Sequence, residues 1–193
     1  MPELGENSDL LRLVEQCLAG NSLAVRDFVS KYQGPIFGLC YRMLTHRQDA
    51  EDMTQETLVR AIRALHQWDR TRDILPWLFS IAGNRCRSLL TKRKNRSVRE
   101  LPIEQVAAEP DREDAARNLG EELDRSLALV RPEFRQAFLL FHEQELSYAQ
   151  IGEILDCPLG TVKTWIHRAR KEIIEDLRKR DVLTEANYAV RRV

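Results

Sequence analysis

Apolar residues recur at every third or fourth position along most of this chain, and that spacing commits it to helices. From Ser8 to Ala19 the stripe is Leu10, Leu11, Val14 and Leu18, and from Leu23 to Tyr32 it is Ala24, Phe28 and Tyr32. Gly20-Asn21-Ser22 separates the two. A third helix is expected around 36–44, stopping at Thr45-His46-Arg47-Gln48. A long fourth runs from about Asp49 to His66 with Met53, Thr57, Ala61 and Leu65 turned inward. Another begins near Pro76, which suits a first helical turn because its missing N–H would have no intrahelical partner there. No strand-like alternation and no low-complexity tract competes, so the expected fold class is all-α.

The periodicity lapses between Val98 and Asn118, where Pro102 and Pro110 break any helix, and the segment 98–118 reads as a flexible linker. It separates one small helical domain, 8–97, from a second, 119–180, with a loose tail at 181–193. Hydrophobic residues make up 43% of the 193, which is enough for each domain to bury a core.

The net charge is zero, which argues against a simple basic nucleic-acid binder, but the average hides segregation. From Arg85 to Arg99 every charged residue is basic, while Glu100 to Asp124 is dominated by acids. Cys17, Cys40, Cys86 and Cys157 show no CxxC and no metal-ligand spacing, so they are expected to be reduced, mostly buried thiols. No apolar run approaches the ~18–20 residues needed to span a bilayer, and the N-terminus lacks a signal-peptide pattern. A cytoplasmic protein is expected.

The strongest local signal lies between Leu146 and Arg170. Ser147 to Leu155 forms one short helix, Asp156-Cys157-Pro158-Leu159-Gly160 turns, and Thr161 to Arg170 forms another. Ala149, Ile151, Ile154, Leu155, Val162 and Ile166 are spaced so that the two helices cross and bury their contact, a helix-turn-helix pattern. The second helix turns Lys163, Thr164, His167, Arg168, Arg170 and Lys171 away from the packed side. Cations and hydrogen-bond donors there suit a major groove. The plainer alternative is a solvated helix face.

The basic run follows a helix carrying Trp77, Ile81, Asn84, Arg85 and Arg87, with Trp68 in the loop before it. Rings and amides beside a cationic track suit single-stranded DNA, since bases stack on the rings while phosphates meet Lys and Arg. A tryptophan taken alone is more often core. The helix from Asp49 aligns Asp49, Asp52, Gln55, Glu56 and Val59 on one face opposite its apolar stripe. An acidic face cannot front DNA, so it is either solvated or a dock for a basic protein.

These three motifs together resemble the sigma-70 family, in particular its compact extracytoplasmic-function group. Asp49 to Thr57 resembles region 2.2, Trp77 to Arg85 resembles regions 2.3 and 2.4, and Leu146 to Arg170 resembles region 4, in family order. The resemblance implies a sigma region 2 bundle over 8–97 and a region 4 helix-turn-helix over 119–180. It implies that Asp49, Asp52, Gln55 and Glu56 grip the clamp helices of the largest subunit of core RNA polymerase, with the polymerase flap as a further contact and the linker near the RNA exit path. It implies that Trp68, Trp77, Ile81, Asn84, Arg85 and Arg87 serve the minus-ten element of promoter DNA. Thr161, Lys163, Thr164, His167, Arg168, Arg170 and Lys171 would read the minus-thirty-five element, and an anti-sigma factor is implied as a partner. Trp165 stands where the family commonly has a basic residue, and Pro76 replaces a usual Thr.

No cofactor, metal or small-molecule substrate is expected. His46, His66, His142 and His167 are dispersed, and no Ser/His/Asp constellation or phosphate-cradling loop is present. The alternative function is a stand-alone helix-turn-helix regulator, which requires an effector or receiver domain ahead of that motif.

Overall fold

The computed structural model describes residues 4–99 and 115–183, where the regular structure is entirely helical. The chain divides into two compact units, Met1–Cys86 and Arg87–Val193. Most of the expected linker lies outside the described residues, although helix extends to Arg99 before it and resumes at Ala115 after it. The expected tail lies outside them beyond Leu183.

The first unit is built from α1 (Leu4–Leu18), α2 (Ser22–Leu44), α3 (Arg47–Ala64), a single 3-10 turn (Leu65–Gln67) and the start of α4 (Ile74–Arg99). Gly20, at φ +80, turns the chain out of α1 in a conformation that side chains with a Cβ resist. Asn21 then caps α2: its Oδ1 accepts from the N–H groups of Leu23 at 2.9 Å and Ala24 at 3.3 Å.

Where the sequence suggests two helices, 23–32 and 36–44, the structure has one, with Pro35 inside α2. Proline in a helix interior removes a hydrogen bond and costs about 3 kcal/mol. Phe28, Tyr32, Ile36, Leu39, Cys40 and Met43 form an unbroken buried stripe on either side of it. At about 1.5–3 kcal/mol for each large side chain buried, that stripe outweighs the lost bond. The inward face of α3 is also displaced slightly from expectation: Ala50, Thr54, Thr57, Leu58 and Ala61 are buried, whereas Met53 is half-buried. Pro76 sits in the first turn of α4, which begins at Ile74.

The second unit packs α5 (Ala115–Leu129), α6 (Pro132–His142) and α7 (Tyr148–Leu155) around α8 (Leu159–Lys179). Val162, Ile166, Ala169, Ile173 and Leu177 of α8 are buried at helical spacing. Ser147 and Gln150 form a reciprocal capping box at the start of α7. The turn into α8 is shorter than expected, since the helix already begins at Leu159. It closes tightly: a Cβ on Gly152 would lie 2.9 Å from the Cys157 carbonyl oxygen and 3.7 Å from Val162 Cγ2.

Two polar clusters tie this unit together. Arg135, 4% exposed, donates to the carbonyl oxygens of Ala128 at 2.5 Å and Val130 at 3.1 Å, closing the α5–α6 turn. Burial pushes its guanidinium down to about 10, because the charged form gives up water that two carbonyls replace only in part. At the far end of α8, Arg180 bridges Glu122 and Ser126 of α5 to Asp176.

Candidate functional site

Along α8 the side opposite the core carries the expected cationic face. Lys163, Thr164, His167, Arg168, Arg170 and Lys171 are exposed, and Thr161 is half-buried. Several of these side chains are steadied by neighbours. Thr164 Oγ1 donates to the Gly160 carbonyl at 2.8 Å, and Lys163 Nζ lies 5.6 Å from the Tyr148 ring centre. The Arg168 guanidinium sits 5.9 Å from the Phe134 ring centre, and Arg170 bonds His142 Nε2 at 3.1 Å. Lys171 pairs with Glu175 at 3.7 Å. Contacts of this kind limit the rotamers a long cation samples and lower the entropy lost when it meets a ligand. Trp165 is half-buried and packs on Phe134, with ring centres 5.9 Å apart, so its ring belongs to the α6–α8 seam rather than the cationic face.

On α4, Trp77, Ile81 and Arg87 are half-buried and Asn84 is exposed. Arg85 is also half-buried, and its guanidinium is held by Glu56 at 2.8 Å. Trp68 is placed otherwise than expected. It is 5% exposed, and its indole N–H is buried with no acceptor among the described residues. The 3-10 turn folds this ring inward, where its area contributes to the core instead of a stacking platform.

The acidic face of α3 divides in two. Asp52 and Gln55 are exposed. Asp49 is not turned outward: its side chain is 14% exposed and lies 3.0 Å from His46 Nδ1 in the helix's first turn, where negative charge offsets the helix dipole. Glu56 Oε1 receives Arg60 at 2.9 Å as well as Arg85. Partial burial alone pushes the Glu56 carboxyl up, but the two arginines outweigh it through their hydrogen bonds and charges and hold it below the ordinary 4.5. Sequence reasoning missed the Glu56–Arg85, Arg170–His142 and Glu122–Arg180 pairs. Each joins residues on different helices, and no local pattern announces such a pairing.

Cys17, Cys40 and Cys86 are buried and Cys157 is half-buried, all as free thiols. Among the described residues no cluster of His, Cys, Asp and Glu is disposed to hold a metal ion. No described helix is long and apolar enough to cross a membrane.

One unit is helical with a split acidic helix, and the other presents a helix-turn-helix with an exposed cationic face, the class of motif suited to duplex DNA. Residues 28–96 match the model of sigma-70 region 2, and residues 120–173 match that of sigma-70 region 4. The chain is 31% identical to the ECF RNA polymerase sigma factor SigW of Bacillus subtilis over 86% of its own length and 95% of the relative's. It is 32% identical to the ECF RNA polymerase sigma-E factor of Haemophilus influenzae, over 85% and 92% of the two chains. The chain belongs to the extracytoplasmic-function sigma factors of the sigma-70 family, the alternative sigma factors that direct transcription.

Two solved structures share the fold at a TM-score of 0.64. One is the sigma factor RpoE with the anti-sigma factor NepR from Bartonella quintana, 24% identical over 79% of this chain and 98% of that one. The other is CnrH with the cytosolic domain of CnrY, 22% identical over 86% and 96%. A stand-alone regulator would need an effector or receiver domain before its helix-turn-helix, and sigma region 2 occupies that place.

Proposed function

We propose that this chain brings core RNA polymerase to its promoters by a division of labour among three surfaces. The observation that carries the reading is charge sorted by surface, with exposed acid and amide on α3 and exposed cations on α8. Asp52 and Gln55, with Glu56 beside them, grip the clamp helices of the polymerase's largest subunit, while Asp49 supports the start of that helix. The first domain, 8–97, uses Trp77, Ile81, Asn84, Arg85 and Arg87 to take up the melted minus-ten strand. The second, 119–180, lays the face of α8 into the minus-thirty-five major groove and meets the polymerase flap, and the segment 98–118 joins the two.

Opening energy comes from binding displaced bases, and the protein itself catalyses no reaction. It works in the cytoplasm, and an anti-sigma factor holds it inactive, as the partnered states of the structural relatives support. Trp68 acts from the core by keeping the loop before α4 in place.

In vitro transcription from genomic fragments, with core polymerase alone and with the chain added, tests the reading. New start sites are expected only with the chain. Asp52→Lys should reduce them at least tenfold with helix content unchanged; full transcription by that variant overturns the docking assignment.

A further inference from the structure

The carboxylate of Glu56 faces two ways. Its helix, α3, is the one assigned above to polymerase, yet Oε1 is already occupied by Arg60, four residues along the same helix, and by Arg85 from α4. Arg85 depends on that contact. Its side chain is only 25% exposed, and its Nε is buried without a hydrogen-bond partner among the described residues. A guanidinium so placed has given up part of its hydration and favours an anion beside it, and Glu56 is the anion paired with it. Arg60, at 52% exposure, can exchange Glu56 for water at little cost. The pairing is therefore unequal: Glu56 retains a cation if Arg85 leaves, whereas Arg85 without Glu56 needs another anion.

We propose that Glu56 is a carboxylate shared between two tasks: in the free protein it holds Arg85, and when a basic partner engages α3 it turns to that partner and releases the Arg85 guanidinium to a nucleic-acid phosphate. This rests on the assignment of α3 to polymerase and α4 to DNA. The exchange couples the two binding events, and linkage makes the coupling reciprocal, so polymerase strengthens the hold on DNA by the factor by which DNA strengthens the hold on polymerase. The exchange breaks one ion pair, Glu56–Arg85, and forms two, Glu56 with the basic partner and Arg85 with the phosphate.

The test uses the full-length chain without polymerase and a labelled single-stranded oligonucleotide followed by fluorescence anisotropy. Glu56→Gln frees Arg85 and should tighten binding several-fold. It should also steepen the slope of log affinity against log salt by about 0.7, the increment for one more phosphate contact on a single strand. Glu51→Gln removes the same charge from another exposed position on α3, paired with the exposed Arg47, and should change little.

In an Arg85→Gln background the gain from Glu56→Gln should vanish, since the two substitutions report one interaction. As a second measurement, Arg85→Gln alone should raise affinity for core polymerase several-fold by removing a competitor for Glu56. A Glu56→Gln effect no larger than that of Glu51→Gln, a gain that persists without Arg85, or unchanged polymerase affinity in Arg85→Gln overturns the exchange. Arg93→Gln with Lys94→Gln separates the two levels of failure. If that pair weakens oligonucleotide binding while Glu56→Gln gains nothing, the exchange alone falls; if it has no effect, the assignment of α4 to DNA falls with it.

Discussion

Gly152 is the residue whose replacement has the clearest structural consequence. Alanine there brings its Cβ against the Cys157 carbonyl, a backbone atom that moves only if the turn itself moves. Alanine's better helix propensity returns about 0.5–1 kcal/mol, less than the ~1–3 kcal/mol that overpacking costs. Gly152→Ala is therefore expected to destabilise the second unit by about 1–2 kcal/mol in denaturant titration.

Glu56 carries a pH signature. Its carboxyl is held below the ordinary 4.5, so the native state favours the ionised form. The stability this contributes is present above the unfolded value and is lost as pH falls through the lower folded one. Wild type should accordingly exceed Glu56→Gln in thermal stability at neutral pH, and the gap should close on acidification below 4.5; a constant gap contradicts the pairing.

Much at this scale was legible in the sequence. Asp52, Gln55, Asn84 and the cations of α8 are exposed where helical phase puts them. Trp68 and Asp49 were not legible, because a 3-10 turn and a helix start aim side chains in ways that a uniform 100° rotation does not describe.

Among the elements, α2 shows how tertiary packing overrides a local signal. A Gly-Pro pair normally marks a break, and the sequence alone suggests two helices there. The continuous buried stripe prevails because it is summed over many contacts, whereas the proline's penalty is paid at one position. Pro35→Ala should therefore stabilise the first unit by about 1–3 kcal/mol, the cost of interior proline less context effects, read as a raised Tm. A lowered Tm would mean that Pro35 serves a role other than helix continuity.

In contrast, most of the helix-turn-helix was readable; the exceptions are the first residues of α8 and Ala149, which is exposed on the first turns of α7 rather than packed between the two helices. Its signals are all local: the capping box at Ser147, the small residue at the close approach, and buried positions at intervals of three and four. The anchoring of α8 through Arg180 was not, since its partner Glu122 lies 58 residues away.

At the scale of the whole chain, the zero net charge predicts how the isolated protein meets DNA. Binding to duplex DNA is driven largely by counterion release, and a chain with no excess of cations gains little long-range attraction from it. The isolated protein should bind promoter duplex weakly at moderate salt, and the same promoter should be held far more tightly once polymerase is added, as gel-shift titration would show. Tight, sequence-specific binding by the chain alone would contradict this. Two units with separate cores also predict separable unfolding, so Gly152→Ala should shift the transition of the second unit and leave that of the first in place.

At 21 residues, about 31 Å, α8 is considerably longer than the stretch from Lys163 to Lys171 that carries its cationic face. It is fastened along its whole length, by Val162, Ile166 and Ala169 in its forward turns and by Ile173, Leu177 and the Arg180 bridge behind them. The side chains on the opposite edge are exposed and lie outside that buried row. Under the proposed groove contact, exchanging Lys163, Thr164, His167 or Arg168 should alter which sequence is sought while the buried row stays intact, so that new promoter preferences would be open to such a protein one substitution at a time.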